Sequence, residues 1–101
     1  MKQPQHTAYI EYPDEQTYLA FKAVASDAKD MFGQPYSAWL AQGTEHKKRM
    51  AQQGVQLVGI LATPQEFTEW CKTNSLPTDS KARATFAAYK LAVQLAGEEK
   101  A

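Results

Sequence analysis

Residues Val55 to Cys71 commit the chain to a strand that passes directly into a helix. VQLVGILA, at positions 55–62, is an apolar run of strand length, and Thr63-Pro64-Gln65-Glu66 follows it at once. Thr63 suits a helix N-cap, Pro64 the first helical position, and Glu66 the place three residues on that completes a capping box. Phe67, Trp70 and Cys71 then fall at i, i+3 and i+4, one face of the helix turned to a core. This combination places the chain in the α+β class.

Upstream, Thr7 to Tyr12 alternates, with Ala8, Ile10 and Tyr12 on one side and Tyr9 and Glu11 on the other, as in a half-buried strand. Pro13 ends that strand, and Asp14 can cap a helix reaching about Phe32, with Tyr18, Phe21, Val24, Ala25, Ala28, Met31 and Phe32 on one arc. Gly33 is a suitable stop. Pro35 can open a second helix, in which Tyr36, Trp39, Leu40, Gly43 and Met50 keep helical spacing to about Gln53, with Gly43 weakening it midway. The capping-box helix ends near Asn74, Ser75 to Asp79 form a turn, and the last helix runs from about Ser80 to Ala96. The expected architecture is a two-stranded β-ribbon with about four helices in the order β-α-α-β-α-α. If each short connection reverses the chain, two helices between the strands make the ribbon antiparallel. Residues 1–6 and 97–101 read as frayed tails around a single domain at 7–96.

The second strand poses a packing problem. Val55, Leu57 and Leu61 share one side and Val58 and Ile60 the other, the pattern of an interior strand, yet two strands supply no interior. Either helices cover both faces, or a second copy of the chain adds strands across an open edge. A homodimer with a four-stranded sheet is the expectation drawn from this. The last helix agrees with it: Ala82, Phe86, Tyr89 and Val93 form one apolar stripe and Ala84, Ala88, Leu91 and Leu95 another, so the helix is either central to its domain or shared with a partner.

The whole molecule has no net charge, since eleven basic residues balance eleven acidic ones. No long-range field therefore draws it to nucleic acid or an anionic membrane, and such a partner would need a local patch. One cysteine excludes an internal disulfide, and with two histidines it cannot assemble the usual four Cys/His ligands of structural zinc. No metal or cofactor is expected. The absence of a long apolar run or secretory leader leads to the expectation of a soluble, cytoplasmic protein.

The residues that could carry chemistry are few. Cys71 is the one thiol, but its spacing with Phe67 and Trp70 turns it into the core, where it acts as a small hydrophobe. His46, on the edge of the second helix's apolar arc, has no partner motif that would make it a general base. None of the common phosphate-loop, dinucleotide, nucleophile-elbow or zinc-protease motifs is present. A non-catalytic interaction protein is therefore the preferred reading, acting on itself and on another protein through a sheet edge or an aromatic patch at Tyr9, Tyr36 and Trp39. The rival is a nucleic-acid accessory protein using Lys47, Lys48 and Arg49 with Lys81 and Arg83 at the start of the last helix.

Overall fold

A computed structural model of the chain describes residues 5 to 100. Strand β1 (Gln5–Ile10) is followed by helices α1 (Glu15–Val24), α2 (Ala28–Met31) and α3 (Tyr36–Gln52), then strand β2 (Val55–Ile60) and helices α4 (Pro64–Thr73) and α5 (Ser80–Lys100). Local chemistry sets several boundaries. The Asp14 carboxylate accepts from the Thr17 N–H at 2.7 Å to start α1, and the Thr63 hydroxyl accepts from the Glu66 N–H at 3.0 Å to start α4. Gly54, at φ 79°, takes the left-handed turn that ends α3 and releases the chain into β2. After α4, Ser75 adopts φ 56°, and the Leu76 N–H reaches the Cys71 carbonyl at 2.9 Å while the Ser75 N–H reaches that of Lys72 at 3.3 Å. That pair of bonds is a Schellman motif with serine where glycine is usual.

The strands are parallel, in register from Gln5↔Val55 to Ile10↔Ile60, which corrects the antiparallel ribbon expected from the sequence. The helices between the strands differ from expectation as well. The helix expected over Asp14 to Phe32 stops at Val24 and restarts at Ala28, so the order is β-α-α-α-β-α-α with five helices among the described residues, not four. No proline or glycine lies at the break. It is held from far along the chain: the Thr78 hydroxyl donates to the Val24 carbonyl at 2.7 Å, and the Ser26 N–H donates to the Thr78 carbonyl at 3.0 Å. The Asp27 carboxylate takes the Ser80 N–H at 2.8 Å and both Arg83 guanidinium nitrogens at 3.0 and 3.1 Å. Three helices therefore separate the two strands. Parallel strands need such a long crossover.

One face of the sheet is closed. Ala8, Ile10 and Ile60 meet Tyr18, Phe21, Phe67, Cys71, Ala82, Phe86 and Ala87 of α1, α4 and α5, with Tyr12 from just after β1 and Phe32 from the end of α2, in a single buried core. The other face of β2, with Val55 and Leu57, lies under α3, a 17-residue helix without a fully buried side chain. Helices from the same chain thus lie on both sides of β2, the first of the two solutions its apolar pattern allows. Of α5's two stripes, Ala82 and Phe86 are buried, whereas Tyr89 and Val93 are 52% and 55% exposed and Ala84 and Ala88 face solvent.

The ends also differ from expectation. Gln5 and His6 belong to β1 and not to a frayed tail, and α5 continues through Lys100, past the expected end at Ala96. Residues 1–4 and 101 lie outside the described residues. No helix among the described residues is long and apolar enough to cross a membrane.

Candidate binding groove between the sheet and α3

Alternation along β1 and helical spacing along α3 place two rows of side chains opposite each other. Thr7, Tyr9 and Glu11 come from one side of β1, and Tyr36, Trp39, Leu40, Gly43, Thr44 and Lys47 from the facing side of α3. With Leu57, Tyr12, Pro13 and His46 they line a groove of about 390 Å³, within the usual range of ligand sites. The three aromatic residues singled out from the sequence, Tyr9, Tyr36 and Trp39, all line it.

Each wall has a structural reason. Tyr36 and Trp39 are stacked, with centroids 5.7 Å apart and planes 16° from parallel, and the Tyr36 hydroxyl donates to the Tyr12 carbonyl at 2.6 Å, tying the start of α3 to the end of β1. Trp39 also lies 4.8 Å from the Tyr12 ring, whose other neighbours are core residues. Burial pushes the Tyr12 phenol up to about 12, only partly offset by the nearby Arg83 charge, so it stays neutral at physiological pH. Across the strands Tyr9 pairs with Gly59. A Cβ on Gly59 would come within 2.9 Å of the Glu11 carboxyl and 3.0 Å of the Tyr9 hydroxyl, so the missing side chain lets both lie flat as the groove floor.

The groove has an electrostatic gradient. Lys47 Nζ sits 5.1 Å from the Tyr9 ring centroid, and the Tyr9 side chain, helped by the charge of Glu11, holds its ammonium above the usual lysine range. At the other end, loss of water contact and then the charges of Asp14 and Glu11 raise the Tyr36 phenol. Gly43 leaves an opening between the two ends, since a Cβ there would meet nothing within 4 Å.

The basic residues proposed for nucleic acid are scattered. Lys47 faces the groove; Lys48, Arg49 and Lys81 are exposed elsewhere on α3 and α5. Arg83 is 7% exposed, paired with Asp27 and lying 4.8 Å from the Phe32 ring centroid. Cys71 is 1% exposed, and burial pushes its thiol up, away from the reactive thiolate. His46 stands exposed on the groove rim. Among the described residues no group of three or more His, Cys, Asp or Glu side chains is placed to hold a metal ion.

Sequence reasoning missed Glu11, Leu40, Gly43 and Thr44 as groove residues. The signal was present in two forms: Glu11 shares the strand face of Tyr9, and Gly43, Thr44 and Lys47 continue the helix face of Tyr36 and Trp39. Comparison of the chain with protein-family models, with curated proteins and with solved structures finds no match.

Proposed function

We propose that the protein is a small non-catalytic interaction module whose working surface is the groove between β1 and α3. The supporting observation is the convergence of Tyr9, Tyr36 and Trp39, from two separate elements, on one open concave surface. Gly43 adds to it. A glycine inside a helix costs about 1 kcal/mol relative to alanine, and no neighbour in the chain requires it here. The proposed partner, lying close against α3, gives it a role. The homodimer expected from the sequence rested on the faces of β2 and on the two apolar stripes of the last helix; α3 and α5 now lie on the two sides of β2, while Tyr89, Val93 and Leu95 of α5 and the strand edges stay open to a second copy.

The test compares wild type with Gly43→Leu, which fills the groove at a position with free space. Affinity capture from the native host, with and without nuclease, is expected to retain nuclease-resistant protein partners on wild type and lose them on the variant, whose far-UV spectrum is unchanged. Partners retained equally by both, or lost on nuclease treatment, would overturn the proposal. Binding dominated by phosphate contacts would also weaken steeply with added salt.

A further inference from the structure

Pairing in a two-stranded sheet leaves each strand one free edge. The Gln5 N–H reaches the Gly54 carbonyl at 3.1 Å, and the Glu11 N–H reaches that of Ile60 at 2.9 Å. In a parallel ladder of this register, Gln5, Thr7, Tyr9 and Glu11 turn their backbone groups toward β2, and His6, Ala8 and Ile10 turn theirs outward. No strand among the described residues pairs with that outer edge. It is also not blunted, because QHTAYI holds neither proline nor lysine. Its far end is closed, where the Tyr36 hydroxyl occupies the Tyr12 carbonyl.

Hollows border this edge on both sides. One is the aromatic groove; the other, of about 200 Å³, is lined by Ala8, Ile10, Ser80, Arg83 and Ala84, and the two share Tyr9, Tyr12 and Trp39. A strand laid along β1 sends alternate side chains to opposite faces, so successive residues would enter the two hollows in turn. Charge identifies the occupant. Glu11 is half buried among Tyr9, Tyr12, Tyr36 and Trp39, and it takes part in neither of the salt bridges among the described residues. Lys47, the lysine lining the same groove, feels the Glu11 charge but forms no salt bridge with it, so the carboxylate remains open to a cation that stacks on a ring while pairing with it.

We infer that β1 accepts an extended basic peptide segment as a third strand, with an arginine or lysine entering the groove beside Glu11 and Trp39 and a smaller side chain entering the hollow beside Ala84. This rests on the reading of the groove as an interaction surface. A second folded copy fits the edge less well, because its own β1 is recessed between the same walls of Trp39 and α5.

The probe is a display library of random linear peptides, selected on the intact protein. Selected peptides are expected to carry arginine or lysine, to weaken about tenfold against Glu11→Gln, and to lose binding when alternate peptide nitrogens are methylated. Bound peptide should slow amide exchange at His6, Ala8 and Ile10 and leave Val55, Leu57 and Gly59 unchanged. Peptides that bind and are displaced by Gly43→Leu without protecting the β1 amides would overturn strand addition while leaving the groove as the binding surface. Failure to select any peptide sensitive to Gly43→Leu would overturn both. Protection of His6, Ala8 and Ile10 in the free protein, rising with its concentration, would overturn the inference in favour of a second copy.

Discussion

Ala8, Ile10 and Ile60 look into a closed core of aromatic and aliphatic side chains, whereas Thr7, Tyr9, Glu11 and Leu57, one residue along the same strands, border a groove that α3 leaves open. The helices differ in the same way. α1 and α4 each bury two side chains, Tyr18 with Phe21 and Phe67 with Cys71, and α3 buries none despite its greater length. Because side chains alternate along a strand, a six-residue segment can serve stability with one set and recognition with the other. In a domain this small, the closed face must supply most of the folding free energy. The open face is then free to keep aromatic surface exposed and a glycine inside its helix.

The largest effect that could break this contrast is core truncation. Phe67→Ala on the closed side is expected to cost about 3–5 kcal/mol, and Trp39→Ala, packed on one side only, about 1–2 kcal/mol. Urea unfolding of the two variants checks this, and equal losses would mean that the faces are equally packed.

Next comes the joint at the break between α1 and α2. Asp27→Ala strands the buried Arg83 guanidinium without its partner and is expected to cost about 3 kcal/mol. Replacing the pair together, Asp27→Ala with Arg83→Met, should cost less than the single change, as a double-mutant cycle would read. Burial opposes the charge on Asp27, but the Arg83 hydrogen bonds and charge and the Ser80 N–H outweigh it, holding the carboxyl below its usual range. Its folded pKa therefore lies below the unfolded value of about 3.9, so the contribution is present above that pH and lost as pH falls through the folded pKa. Thermal melts at descending pH should show a shallower acid loss for Asp27→Asn than for wild type.

Glycine provides a smaller test. Gly43→Ala adds a methyl group to open space and is expected to raise stability by about 0.5–1 kcal/mol. Destabilisation would show that the groove is tighter than the open space beside Gly43 implies. The exposed ion pair between Lys90 and Glu66, at 2.7 Å, should contribute less than either glycine or core changes, within about 1 kcal/mol.

What could be read from the sequence was what local chemistry decides. Thr63, Pro64 and Glu66 mark the start of α4 because capping is settled within one turn, and Phe67 and Cys71 are in the core because helical spacing puts them on its inner face. The Glu66 carboxylate of the expected capping box is shared between Thr63 and a residue of α5. Thr63 accepts from the Glu66 backbone, while the Glu66 carboxylate also accepts from Lys90, whose hydrogen bond chiefly holds it below its usual range. The strand direction was not legible. Nor was the break at Ala25 to Asp27, which Thr78, Ser80 and Arg83 stabilise from more than fifty residues away. Arg83 reads from the sequence as a candidate nucleic-acid contact for the same reason. A charged residue on a helix reads as exposed until its buried partner is known. The groove was half legible: its aromatics stood out by type, but Glu11 and Gly43 matter only through what faces them.

Residue-resolved amide hydrogen exchange under native conditions tests the contrast between the two faces most directly. Amides of α3 from Leu40 to Met50 are expected to exchange through local opening well before global unfolding, while those of Phe21, Trp70 and Cys71 exchange only when the whole domain unfolds. Protection of α3 equal to that of α4 would contradict an open face held apart from the core.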